Sequence, residues 1–378
     1  MIDLVVVGDF EFSGLYLGRY EKEALEQLGN KRLADQMRQH AKATASELIL
    51  DWLDKSDIAF ANLENTLSEP MPYYHPRPTF YKLRADPSNA EDLKLLGVDV
   101  VTLANNHMLD CGESGLFETL QALDNMGIKR VGAGMNLEEA LSPAIIQADG
   151  QRIAFFGFAT AFQTAAAPDR PGVAAIRNKI IYEFESPRLP TTYTPSYAIL
   201  PTIKELPIEE DVLQAQECIK NVRDKVDFIV VAMHWGPGII VSDMKEASPT
   251  NGQQILAHAI IDSGADLVVG HHPHSTQAIE IYKGKHIFYS LGNFAMQIES
   301  DIARSEMFLN EAFMVKVNIE KGTTSKVEIL PTRTDKTGLP MITEDYENVI
   351  KHLSNISSPL NVSLNSYKQG AIIEPLQK

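Results

Sequence analysis

Six short apolar runs punctuate the chain, and each ends on residues able to bind a metal or move a proton. Leu4 to Gly8 runs into Asp9, Ile58 to Ala61 into Asn62 and Glu64, and Val98 to Ala104 into Asn105, Asn106 and His107. Further on, Phe228 to Met233 runs into His234, Leu267 to Gly270 into His271, His272 and His274, and Ile287 to Leu291 into Gly292 and Asn293. Continuous apolar runs of this length predict buried strands. Between them the pattern predicts helices over Ala34 to Asp54, Asn89 to Leu96, Glu113 to Met126, Glu209 to Lys225 and Thr250 to Ser263. The Glu113 helix carries Leu116, Leu120 and Leu123 on one face, while Gly97-Val98 and Gly264-Ala265 stop helices and feed strands. Strand alternating with helix implies an α/β fold with a largely parallel or mixed sheet covered on both faces. If the six runs belong to one sheet, their polar ends converge on a single crevice outside the carboxyl ends of its strands.

Two segments break this rhythm. Glu69 to Pro87 holds five prolines together with Tyr73, Tyr74, His75, Arg77 and Tyr81, and Phe162 to Pro207 holds seven. Both follow strand ends, where they can roof the crevice; the second is too long for a plain connection. After Asn293 the pattern changes to a β-hairpin, Phe313 to Ile319 and Lys326 to Leu330, followed by a polar tail with one helical stretch near Asp345 to Leu353. The expected organisation is one domain over 1–335, with lid loops at 69–87 and 162–207, and a C-terminal extension over 336–378.

Composition narrows the function. With 44% hydrophobic and 22% charged residues, the chain is of ordinary globular type. Its net charge of -16 argues against a nucleic-acid surface, which needs a basic footprint. No stretch approaches the ~20 apolar residues of a membrane span. Met1-Ile2-Asp3 enters an apolar run directly, so no signal peptide is expected. Cys111 and Cys218 lack metal or redox spacing and read as reduced thiols. The expectation is a cytoplasmic protein.

The chemistry is concentrated at the strand ends. In Gly270-His271-His272-Pro273-His274, the i,i+2 pair His272 and His274 can face one metal, and His271 is the weaker candidate. Asn106 offers a neutral carbonyl ligand, His107 a general acid beside the metal, and Asp110 a carboxylate to orient its ring. Asp9 and Glu64 bring carboxylates from two further strands, and His234 completes a mixed donor set. Such a set suits one or two divalent ions; Mn, Zn, Fe, Co and Ca are not distinguished by it. Arg77 and Arg170 are placed to clamp a substrate carboxylate or phosphate, and Trp235 can stack on substrate.

As a set, these pieces resemble the CapA-like proteins of poly-γ-glutamate capsule biosynthesis, a branch of the calcineurin-like metallophosphoesterase superfamily. The match is carried by Gly8-Asp9, Asn62-Leu63-Glu64, Ala104-Asn105-Asn106-His107 with Asp110 and Gly112, and Gly132-Ala133-Gly134. It continues through His234-Trp235-Gly236, Gly264-Ala265-Asp266, the histidine cluster, and Tyr289-Ser290-Leu291-Gly292-Asn293-Phe294. The resemblance implies a four-layer α/β/β/α sandwich with mixed sheets. It also implies Asp9 and Glu64 as carboxylate ligands, Glu64 bridging two metals, Asn106, His234, His272 and His274 completing the set, and His107 as general acid. Two departures stand out. The superfamily's Asp-x-His has Glu11 in third position, and the family's His-Trp-Gly-x-Glu has Gly238 in the acidic one.

A metal with a nearby acid supports hydrolysis by a bound hydroxide. The expected substrate is small or peptide-like, cleaved at a glutamyl or peptide-like amide or at a phosphoester. A second class is an epimerase that removes a Cα proton, with Asp9, Glu11 or His107 as base and a member of the His271 to His274 group opposite. A third is a non-catalytic binding protein on the same fold. His271 and Asn293 are further candidates for substrate contact.

Overall fold

In a computed structural model, the chain is described over residues 1–11, 33–44, 46–69, 83–162, 164–183, 202–236, 248–296, 311–335 and 338–376. Arg77, Tyr73, Tyr74 and Gly238 lie outside the described residues, as does much of both proline-rich segments. The fold is mixed α/β and is built on two large sheets.

The first sheet opens with β1 (Ile2–Glu11), β2 (Ile58–Leu63), β3 (Val100–Thr102) and β4 (Lys129–Val131), side by side and parallel. The chain then builds the second sheet from β5 (Ala144–Ala148), β6 (Gln151–Ala159), β7 (Phe228–His234), β8 (Leu267–His271), β9 (Ile279–Tyr282) and β10 (Lys285–Phe288). Their order is β9-β10-β8-β7-β6-β5, parallel in the middle with antiparallel strands at both edges. It returns to the first sheet with β11 (Asn293–Met296), β12 (Glu311–Glu320), β13 (Thr323–Thr334), β14 (Pro340–Ile342), β15 (Val362–Tyr367) and β16 (Gly370–Pro375). The main path there is β15-β16-β13-β12-β1-β2-β3-β4, with β11 pairing β1 and β14 pairing β13.

The six apolar runs are thus divided between two sheets rather than sharing one. Three buried clusters explain why the runs are apolar throughout. Leu4 and Val6 of β1 share a core with Phe155 of β6, Val230 of β7 and Val269 of β8. The alternate residues Val5 and Val7 pack with Met37, Leu53, Leu93, Leu116 and Leu120 from helices. On the second sheet Phe156, Ile229 and Val268 pack with Ile219, Leu256 and Ile260. A strand that buries both faces has no polar alternation to show.

Several local expectations shift. The single helix expected over Ala34 to Asp54 is two, Leu33–Ala43 and Glu47–Lys55. Thr44 Oγ1 donates to the His40 carbonyl at 2.9 Å and the Ser46 amide to Ala41, so side chain and backbone close the first helix early. The other helices lie within a residue or two of expectation, and Thr250 caps the Asn251–Asp262 helix through a capping box with Gln253. Within the second proline-rich segment, Asn178–Glu183 pairs antiparallel with Thr202–Pro207. The polar tail holds the expected helix, Tyr346–Ser357, and also β14 to β16, in which Val362, Leu364, Ala371 and Ile373 are buried. In β15, Ser363 and Asn365 separate the apolar residues, so no long apolar run marks that strand. Among the described residues, no helix is long and apolar enough to cross a membrane.

Phe60 of β2 and Phe155 of β6 meet across the sheets with ring centroids 5.2 Å apart. Phe60→Ala is expected to cost about 3–5 kcal/mol by opening a cavity between them. Chemical denaturation would measure it, and a loss below about 1 kcal/mol would mean the two sheets do not depend on this contact.

Candidate metal centre

A backbone irregularity in β1 aims the first candidate ligand, Asp9. Val6 pairs with Phe60, but the next partners are Asp9 and Asn62, so β1 carries one extra residue there. Such a bulge reverses which face the following side chains take. Phe10 therefore joins the helix-side core while Asp9 and Glu11 leave it. The Asp9 amide then donates to the Gly292 carbonyl at 3.0 Å, and a Cβ on Gly8 would sit 2.0 Å from that same oxygen. Only glycine permits this approach.

Asp9 is the hub. Its Oδ1 accepts from Asn62 Nδ2 at 2.9 Å and lies 3.1 Å from His271 Nδ1, and its Oδ2 lies 3.4 Å from His274 Nδ1. Glu64 follows β2, and its Oε1 lies between two imidazoles, 3.6 Å from His234 Nε2 and 3.5 Å from His274 Nε2. His234 Nε2 meets Asn106 Oδ1 at 2.6 Å, and its ring lies 4.6 Å from that of His272. Asn293 Oδ1 lies 2.9 Å from His274 Nδ1, the outer contact that orients a ligand ring.

His272 and His274 both adopt positive φ, 96° and 53°. Side chains other than glycine rarely accept that region, at a cost of about 1–3 kcal/mol each, so the turn after β8 is held by its surroundings. The turn brings both rings to one place: Glu64, His272 and His274 each offer a ligand atom within 4.8 Å of the others.

Electrostatics describe a pocket short of positive charge. Burial pushes the Glu64 carboxyl well above its ordinary range, and Asp9, Glu11 and Asp110 push the same way against His274. Glu11 is pushed up to about 8, first by burial and then by Asp110, with His274 opposing. Burial acts upward on Asp9 too, but the His271 and His274 rings hold it well below the usual carboxylate range. Burial lowers His234 well below ordinary imidazole and His272 to about 3, so both rings stay neutral, the state in which imidazole binds metal. Burial also acts downward on His274, yet Glu64 and Asp9 raise it to about 10.

The donor set fits a divalent ion. Both oxygens of Glu64 and of Glu11, His234 Nδ1, His271 Nε2 and His272 Nδ1 are buried without a hydrogen-bond partner among the described residues. Buried polar atoms are costly when unsatisfied, and several in one pocket mark a missing partner of opposite charge. Beside them, His107 Nδ1 lies 2.8 Å from Asp110 Oδ2, and that oxygen also accepts from the Leu83 amide at 2.6 Å.

Asp9, Glu11, Glu64, Asn106, His234, His271, His272, His274 and Asn293 are thus gathered, with His107 and Asp110 adjoining. Trp235 lies apart in the core, stacked on Tyr289 with its indole N–H donating to the Tyr289 carbonyl. Arg170 is exposed and donates to Ala165 within its own turn. Two positioning residues emerge only here. Asn62 holds Asp9, and Asn105 donates to the Leu63 carbonyl and accepts from the His107 amide. The i,i+2 spacing of Asn62 and Glu64 was the available signal for the first.

The class this arrangement defines, strand-end carboxylates, histidines and an asparagine on two sheets, meets its match in sequence. Residues 3–298 match the family described as bacterial capsule synthesis protein PGA_cap. The chain belongs to that family, whose CapA-like members are calcineurin-like. It is 26% identical to the capsule biosynthesis protein CapA of Bacillus anthracis over 366 residues, 94% of this chain and 74% of the relative. It is 30% identical to the "Probable polyglutamine synthesis accessory protein" of Mycobacterium tuberculosis over 314 residues, 79% and 73% of the two chains. With the PGA biosynthesis protein CapA of Bacillus subtilis it shares 28% over 318 residues, covering 84% and 69%.

Gly8→Ala would force β1 away from Gly292. The expected loss is about 1–3 kcal/mol of stability, from overpacking against backbone, read by chemical denaturation. An unchanged midpoint would show that the site does not depend on this approach.

Proposed function

We propose that this chain is a divalent-metal-dependent hydrolase that cleaves a glutamyl or peptide-like amide bond or a phosphoester. The convergence of Glu64, His272 and His274 donor atoms within 4.8 Å is the observation that carries this reading. Asp9, Asn106 and His234 are read as the remaining ligands. The packing of two sheets with helix-side cores on each is read as the four-layer α/β/β/α arrangement of calcineurin-like proteins. The relatives' names direct the choice of substrate toward glutamyl polymers or peptides. Cys111 and Cys218 are both unpaired, in keeping with a reducing, cytoplasmic setting.

A divalent ion held there would polarise the bond under attack and acidify a water. The protein supplies the rest. Asp110 fixes the His107 ring through Nδ1, which leaves Nε2 to deliver a proton to the departing amine or alcohol. The Asp110 carboxylate is itself held by the Leu83 amide, so the acid is aimed before substrate arrives. The buried walls around Glu64 and His234 keep bulk water from competing for the ligands.

The test pairs elemental analysis with turnover on glutamyl peptides and phosphoesters. Glu64→Gln is expected to lose bound metal and all turnover. His107→Gln should retain metal and lose about 10²–10⁴-fold in kcat. Solvent deuterium entering Cα without bond cleavage would replace hydrolysis with epimerisation. Absence of both metal and turnover in the unmodified protein would leave a binding protein on this fold.

A further inference from the structure

Trp235 follows His234 directly and is buried, and its indole reaches past a neighbouring strand. In β7 and β8, Met233 pairs with Gly270 and His234 with His271. The pairing continues beyond the strand end, where the Trp235 amide donates to the His271 carbonyl at 3.1 Å. The indole then lies against Gly270: a Cβ there would sit 2.6 Å from Trp235 Nε1. From that position the indole N–H donates to the Tyr289 carbonyl at 2.8 Å, just beyond β10 on the other side of β8. One side chain thus spans three neighbouring strand ends, two of which carry His234 and His271.

Tyr289 is held at every polar group. Its amide donates to the Ala278 carbonyl at 3.2 Å, its carbonyl accepts from Trp235, and its hydroxyl donates to Glu280 Oε2 at 2.5 Å. Burial, and then Glu280, push that hydroxyl well above its ordinary range, so it remains a donor. The second Glu280 oxygen, Oε1, lies 2.9 Å from His258 Nε2 on the Asn251–Asp262 helix. Glu280 is itself buried, in the edge strand β9. A buried carboxylate needs partners on its oxygens, and here they come from a helix and from the residue that receives the indole. Packing alone would ask only for apolar rings. Instead, polar contacts run unbroken from the helix to the turn after His234.

We infer that Trp235, Tyr289 and Glu280 are positioning residues that fix His234 against the His271–His274 turn, with Trp235 acting as a strut across Gly270 and not as a substrate contact. The candidate ligands concerned are His234 and His272, whose ring centroids lie 4.6 Å apart. This rests on the metal-dependent reading above and extends it to residues that touch no metal.

The test titrates Co(II), whose visible spectrum reports the geometry of its ligands, into the full chain after chelator treatment. Trp235→Phe keeps a ring over Gly270 and removes the indole N–H; Tyr289→Phe removes one hydroxyl. Each is expected to weaken Co(II) binding by about 10–100-fold, the cost of losing a group that orients ligands, and to alter the spectrum. Glu280→Leu should do the same. Glu280→Gln, whose amide can still accept from His258 and donate to Tyr289, should recover most of the affinity. Folded variants with unchanged affinity and spectrum would overturn the inference while leaving metal dependence intact. No Co(II) bound by the unmodified protein would defeat both. Tyr289→Phe changes a single buried oxygen, so a Trp235 variant that fails to fold does not protect the idea.

Discussion

The Leu291 amide reaches the Gly270 carbonyl of the second sheet at 3.2 Å, and one residue later the Gly292 carbonyl accepts from Asp9 of the first sheet at 3.0 Å. Through these two bonds a single stretch of chain joins the carboxyl ends of β1 and β8. Neither sheet contains the site alone. Asp9, Glu64 and Asn106 come from the first, His234, His272 and His274 from the second, and the crossing sets their separation. It is possible because a side chain is missing at each point of contact: a Cβ on Gly270 would lie 2.0 Å from the Tyr289 carbonyl, as one on Gly8 would from Gly292.

What the crossing brings together is unfavourable by itself. Burial and neighbouring carboxylates raise the proton affinity of Glu64 and Glu11, and His272 and His274 sit on strained backbone. Proteins tolerate such local cost where the surrounding structure over-determines it, and these places are commonly functional. Here the tertiary core of two sheets and their helices supplies the rigidity, and Asp9, Glu64 and His234 are held fully out of water.

Membership of the PGA_cap family places the chain among CapA-like proteins, and its departure from their superfamily's first motif is where it becomes individual. Glu11 occupies the position where the superfamily carries histidine. The substitution does more than remove an imidazole. It places a second buried carboxyl two residues beyond Asp9, one that burial pushes up to about 8.

The strands, most of the helices and nearly all the side chains gathered at the candidate centre were legible in the sequence, for one reason. A strand buried on both faces must be apolar throughout, so the polar residue that ends it stands out, and His272 with His274 needs no fold to look like a ligand pair. Three things were decided only in three dimensions. The division of six runs between two sheets is invisible because a doubly buried strand looks the same in either. The β1 bulge that turns Asp9 and Glu11 into the site is a matter of register with β2, which no periodicity in β1 records. The removal of Trp235 into the core, beside its plausible-looking neighbour His234, follows from a partner 54 residues away, the Tyr289 carbonyl. Local chemistry wrote the polar strand ends into the chain; long-range pairing decided which of them meet.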